Sequence, residues 1–172
     1  MRAGRIAFRT IRSAIVIRRP VAEVFAFCRD FRNLPRFLGD VVHVEITGPR
    51  TSTWTIRTPF GFDTRWPVVV TNVRTNVSIT YKMRSLIAPV RWHVAFAAAG
   101  EDATEVLKEM RIPGGRLAEK IFAIFGTPPE REVHANLARL KELLEAAHGA
   151  KLPVPDERRA SGSPSSEEKG AS

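Results

Sequence analysis

Tyr81 and Lys108 are the residues whose types and strand positions offer chemistry. Tyr81 sits in VSITYKMR, where Val77, Ile79, Tyr81 and Met83 alternate with Ser78, Thr80, Lys82 and Arg84. That period of two marks a half-buried antiparallel strand with the tyrosine on its apolar face. A buried phenol needs a hydrogen-bond partner, which makes Tyr81 a candidate for a polar contact or an acid–base role. Lys108 sits in TEVLKEMRI and shares a face with Val106 and Met110. Two placements follow. Pointing inward, it requires a partner or an anionic ligand, because an unpaired buried ammonium is costly, and Glu105 and Glu109 then point outward. A bulge would instead turn it to solvent.

Other chemistries find little support. The single cysteine, Cys28, leaves no internal disulfide and no cysteine metal cluster, and beside Phe25 and Phe27 it reads as a small buried hydrophobe. His43 and His93 read as outward-facing strand residues, and His134 and His148 fall on the last helix. No pair has metal-ligand spacing, so no metal is expected. No nucleophile motif, phosphate loop or paired carboxylates stand out, and no cofactor is implied.

The elements that must position these residues follow from pattern. Ile11 to Arg18 reads as a first strand. Pro20 suits the first position of a helix carrying Val21, Val24, Phe25 and Cys28 at helical spacing. Asp30 can cap a second, short helix ending at Gly39-Asp40, with Pro35 inside it. Strands are expected at Val41 to Thr47, with Val42, Val44 and Ile46 on one face, and at Ser52 to Thr58, with Trp54 and Ile56 together. The next runs from Phe62 to Thr71, with Phe62, Trp66, Val68 and Val70 on one face. After the Tyr81 strand, Trp92, Val94, Phe96 and Ala98 oppose Arg91, His93 and Ala95, and the last strand spans Thr104 to Ile112. Leu117, Ile121, Ile124 and Phe125 begin a long helix. It is interrupted at Thr127-Pro128-Pro129-Glu130, where Thr127 would cap and Pro128 would take the first helical position. It resumes with Val133, Leu137, Leu140 and Leu144 on one face. Residues 1–148 form one domain, and 149–172, rich in Pro, Ser, Glu and Lys, read as a disordered tail.

Several stretches in this order resemble the polyketide cyclase/dehydrase branch of the START-like (SRPBCC) superfamily. VAEVFAFCRDFRNLPRFLGDVVHVE resembles its opening segment, and DTRWPVVVT its mid-sheet tryptophan. ITYKMRS resembles its "isoleucine-x-aromatic-x-x-serine" strand, GEDATEVLKEMRIPGG its last hairpin, and the run to LKELLEAAH its closing helix. The likeness covers about residues 10 to 148. It implies an α+β helix-grip fold, like that of START and Bet v 1 proteins. About seven strands form a curved antiparallel sheet around a long C-terminal helix, with two short helices after the first strand. It also implies a hydrophobic cavity between sheet and helix. Phe27, Phe31 and Phe37 can face into it from the short helices. Trp54, Trp66, Tyr81, Trp92, Phe96, Phe122 and Phe125 each read singly as core; together, opposite a broken helix, they read as a pocket wall.

Composition narrows the function further. The chain has 172 residues, 44% of them hydrophobic, and a formal charge of +9. No apolar run approaches the length of about 20 needed to span a bilayer. The arginine-rich start is a poor secretory signal, which makes a cytoplasmic location the default. The basic residues are scattered and no nucleic-acid-binding signature accompanies them, so nucleic acid is not expected. A weak attraction to anionic lipid headgroups fits the charge better. Three readings remain. The first is a binder or carrier of a hydrophobic small molecule such as a lipid, polyketide or quinone-like compound. The second is a cyclase, aromatase or dehydratase using the same cavity, with Tyr81, Lys108 or an arginine at the rim as acid or base. The third is a membrane-apposed lipid or quinone handler or a protein-interaction module.

Overall fold

The alternating stretches pair into one seven-stranded antiparallel sheet in a computed structural model that describes residues 8–84, 90–116 and 128–147. The elements run β1 (Phe8–Ile17), α1 (Val21–Arg29), a 3₁₀ turn (Phe31–Asn33), α2 (Leu34–Phe37), β2 (Val41–Gly48), β3 (Thr51–Arg57) and β4 (Asp63–Arg74). Then come β5 (Ser78–Met83), β6 (Arg91–Ala98), β7 (Thr104–Pro113) and α3 (Pro129–Ala146). The strand order is β1-β7-β6-β5-β4-β3-β2. Chain neighbours therefore pair by hairpins, and only β1 joins out of sequence, against β7. This is the helix-grip fold: the curved sheet wraps the C-terminal helix, and the short helices follow the first strand.

Alternation explains what the sheet buries. Ile17, Ile79 and Val106 are fully buried, and Leu140 and Leu144 of α3 meet them from the other side. Each such side chain contributes about 1.5–3 kcal/mol by leaving water. The helix is tied to β1 at its end. Lys141 donates to the Val16 carbonyl at 2.6 Å, and Glu145 accepts from the Arg18 backbone N–H at 2.9 Å. Arg19 Nε donates to the Leu144 carbonyl at 2.8 Å, satisfying one of the carbonyls left open at a helix C-terminus.

The early helix break has a local cause. The Asp30 carboxylate accepts from the Arg32 backbone N–H at 3.1 Å, capping the 3₁₀ turn, and Asn33 Nδ2 donates to the Phe27 carbonyl at 3.1 Å. These bonds end α1 and redirect the chain, so that α2 crosses toward α3 and the start of β2.

Several boundaries differ from the pattern-based expectation. β1 begins at Phe8 rather than Ile11, because its backbone pairs with β7 along its whole length, from Phe8 opposite Pro113 to Ile17 opposite Thr104. β4 continues to Arg74 after a bulge between Val70 and Asn72. The turn that follows places Asn76 at φ 57, a left-handed conformation that asparagine tolerates. Val77 thereby falls in the turn, 41% exposed, and Phe62 lies ahead of β4, 65% exposed and stacked on Phe60. In β2, register shifts at Val41/His43 and Ile46/Gly48 break the alternation, burying Val41 and exposing Val42 and Ile46. α3 starts at Pro129 with Pro128 as its cap residue, one position later than expected. Thr127, the Leu117–Phe125 stripe with Phe122 and Phe125, and the tail from residue 149 lie outside the described residues. Among the described residues no helix is long and apolar enough to cross a membrane.

Candidate functional site

Between sheet and helix lies a cavity of about 600 Å³. Its walls come from the inward faces of β3, β5, β6 and β7, from α3, and from the corner between α2 and β2. The aromatic wall is built by strand alternation. Trp54 of β3 stacks on Trp92 of β6, with ring centroids 5.7 Å apart and planes at 24°, and meets Tyr81 edge-on at 6.2 Å. Trp54 Nε1 donates to Ser52 Oγ at 2.9 Å, so the indole keeps its hydrogen bond while its ring stays free to face the cavity.

Phe37, Trp54, Tyr81, Trp92 and Lys108 all line the cavity, and Cys28 joins them. Phe27, Trp66 and Phe96 do not. Phe27 packs on Phe37 at 6.2 Å and carries the Arg36 guanidinium over its ring. Trp66 pairs directly with Trp54, but no residue of β4 lines the cavity, whereas the Trp54 ring on the neighbouring strand reaches Trp92 of β6. Its indole N–H is satisfied by Thr64 Oγ1 at 2.9 Å. Phe96, further along β6, is covered by Phe25 of α1 in an edge-to-face contact at 5.5 Å. Phe31 is buried against Tyr81 and likewise stays out of the lining.

Lys108 points inward. Val106, Lys108 and Met110 all face the cavity, as an unbroken strand requires. Its direct neighbours across the sheet are Ser13 on β1 and Val94 on β6, neither of which carries a charge. Among the described residues no hydrogen bond or salt bridge holds its amine; its electrostatic partners are Asp40 and Glu132. Burial pulls its pKa down from 10.5 to about 8, against the pull of those two carboxylates.

A polar corner surrounds this lysine. Glu132, Asn136 and Arg139 follow one another at helical spacing on α3 and reach the cavity beside the apolar stripe of Val133, Leu137 and Leu140. Arg139 forms an ion pair with Glu132 at 2.9 Å, donates to the Phe37 carbonyl at 2.9 Å and to Asn136 Oδ1. Asn136 Oδ1 also accepts from the Gly39 backbone N–H at 3.2 Å. A side chain on Gly39 would place its Cβ 2.6 Å from the Arg139 guanidinium, so glycine is what lets this bridge close. Asp40, next in the chain, has its carboxyl pushed above the usual range by burial and by Glu132.

The remaining cavity groups stay protonated. Burial drives the Cys28 thiol up to about 12, so it is no thiolate nucleophile at neutral pH. Burial also raises the Tyr81 phenol above its ordinary 10, and its hydroxyl donates to the Cys28 carbonyl across a long 3.4 Å. Tyr81 thus keeps its proton: it can donate a hydrogen bond, but it is a weaker acid than a free phenol.

Sequence reading missed Asp40, Glu132, Asn136 and Arg139. The signal was present in α3 as three polar residues spaced like the apolar stripe and one position ahead of it. Nothing in the pattern alone said that this polar row would meet the cavity instead of water.

This arrangement coincides with a family match. The model described as "Polyketide cyclase / dehydrase and lipid transport" matches residues 9–145. The chain belongs to that family, in the polyketide cyclase/dehydrase branch of the START-like superfamily. Solved structures share this fold. An aromatase/cyclase from a Streptomyces species is 13% identical, with a TM-score of 0.69 over 85% of this chain and 100% of that one. A START superfamily protein from Mycobacterium smegmatis is 11% identical, with a TM-score of 0.65 over 80% and 97%. A protein from Deinococcus radiodurans is 22% identical, with a TM-score of 0.62 over 80% and 99%. A search of curated proteins by sequence returned no match. Membership of this family supports a hydrophobic-ligand-binding or cyclase role.

Proposed function

We propose that this protein binds or carries an apolar small molecule, lipid-, polyketide- or quinone-like, with its one oxygen-bearing end at Lys108. The observation that carries this reading is the cavity itself: about 600 Å³, walled by Trp54, Trp92 and aliphatic side chains, with polar groups gathered at one corner. That volume falls in the range of small-molecule sites, and the mix of apolar wall and few placed polar groups is their usual make-up. The guest's chain would lie along the tryptophans, and a carbonyl or acidic oxygen would meet the Lys108 amine. Native mass spectrometry of protein purified from its own host tests this. The expected result is a co-purifying compound of mostly apolar composition; bare protein that also fails to take up any of a panel of lipids, quinones and polyketides would overturn it.

The polar corner supports a second reading, an aldol or dehydration step on a poly-ketone chain folded in the same cavity. Lys108 with Asp40 would serve as proton acceptor, and the Tyr81 hydroxyl as hydrogen-bond donor to the carbonyl oxygen. Turnover of a poly-ketone to a cyclised product with loss of water, abolished in Lys108→Met, would favour this reading over carriage.

A further inference from the structure

Lys108 combines three features seldom found together. It projects from the middle of a regular strand into an apolar cavity, between Val106 and Met110. Among the described residues, no acceptor holds its amine. The titratable and charged groups facing it come from the chain around it: Asp40 from the α2–β2 corner, Glu132 and Arg139 from α3, and, on α1, the neutral Cys28 thiol. Glu132 is already engaged by Arg139, which leaves Asp40 as the nearby carboxyl without a side-chain ion pair. Lys108 is half-buried, and what exposure it keeps opens onto the space a guest would fill.

We propose that Lys108 is an amine nucleophile that captures the carbonyl carbon of a keto-bearing guest as a reversible imine. This rests on the cavity-binding reading and adds a covalent step to it. The neutral amine adds to the carbonyl carbon, the C–N bond forms, and the carbonyl oxygen takes a proton to give a carbinolamine. Loss of the second amine proton and of the hydroxyl group releases one water and leaves C=N. No electrons are exchanged, and the same water reverses the step. Asp40 is placed to pass the protons, as a carboxyl whose burial favours its neutral form. Burial supports the nucleophile too: with its pKa near 8, about one amine in ten is neutral at pH 7, whereas an ordinary lysine leaves fewer than about one in a thousand. The Trp54–Trp92 wall would hold the guest's chain and keep its carbonyl near the amine.

The experiment uses the full chain and a straight-chain 1,3-diketone, whose imine rearranges to a conjugated enaminone with its own near-ultraviolet band. Tryptophan fluorescence is followed at the same time, because Trp54 and Trp92 report entry into the cavity. Expected are one adduct per chain, peptide mapping to Lys108, and formation at least roughly tenfold faster than at exposed Lys82. The band should be absent in Lys108→Arg and Lys108→Met, and preloading the parent protein with a saturated hydrocarbon of the same length should suppress it. Tryptophan quenching without an enaminone band, or adducts spread evenly over the lysines, would overturn the covalent proposal and leave cavity binding standing. Neither quenching nor adduct would overturn both.

Discussion

Replacing Lys108 with methionine should stabilise the protein, and by an amount that depends on pH. Methionine keeps the length and the apolar stem and removes the ammonium. The folded protein holds that group at a pKa of about 8 against an ordinary 10.5, a figure already net of the attraction of Asp40 and Glu132. At about 1.4 kcal/mol per tenfold, keeping the lysine charged at pH 7 costs the native state at most about 3.5 kcal/mol. Water entering the cavity reduces this, and a gain of about 1–3 kcal/mol is expected for Lys108→Met. The sign follows from which state holds the proton. Between pH 8 and pH 10.5 the unfolded chain binds more protons, so the parent protein becomes more stable as pH rises through that window. Below pH 8 the cost is fully present. Urea unfolding at a series of pH values, followed by tryptophan fluorescence, should show the variant's midpoint above the parent's at pH 7. The gap should close by about pH 10.5, with the slope of the transition unchanged. A variant no more stable than the parent at pH 7, or a gap indifferent to pH, would refute an uncompensated ammonium in the cavity.

Three further outcomes follow from named contacts. Gly39→Ala should displace the Arg139 guanidinium from its bridge to Phe37 and Asn136 and cost about 1 kcal/mol in chemical denaturation; in the Arg139→Ala background the same change should cost almost nothing. Glu145→Gln should destabilise by about 1–2 kcal/mol at neutral pH, because Lys141 and the Arg18 N–H hold that carboxyl near a pKa of about 2; the loss should fade as pH falls from 4.5 toward 2, where the parent loses the same support. Arg91→Glu should raise the melting temperature by a few degrees in calorimetry, since Arg91 stands directly opposite Lys82 on one side and Arg111 on the other; a lower melting temperature would show that this row of cations does not repel.

What was legible in the sequence follows the range of the forces involved. Strand alternation is local, so the inward placement of Trp54, Tyr81 and Trp92 could be read from period two. For Lys108 alternation gave a shared face with Val106 and Met110 but left a bulge to solvent open, and only the unbroken β6–β7 register decides for the cavity. The branch likeness could be read from the order of the segments. Trp66 and Phe96 share that period yet miss the cavity: Phe25 of α1 packs on Phe96, and Trp66 lies on β4, a strand that contributes nothing to the lining. That depends on sheet order and side-chain reach, which no window of sequence contains. The turn positions of Phe62 and Val77 depend on where pairing stops, and the β2 bulges on the edge strand's own irregularity. The polar corner is the clearest case of long-range assembly. Arg139 reaches the Phe37 carbonyl across 102 residues of sequence, and only the packing of α3 against α2 brings the two together.

The central claim is that the space between sheet and helix receives an apolar chain. Its most direct test is the affinity of the protein for a homologous series of methyl ketones, read by tryptophan fluorescence. Each added methylene should strengthen binding by about 0.8 kcal/mol, roughly fourfold, until the cavity is full and the gain levels off. Affinities that do not change with chain length would contradict it.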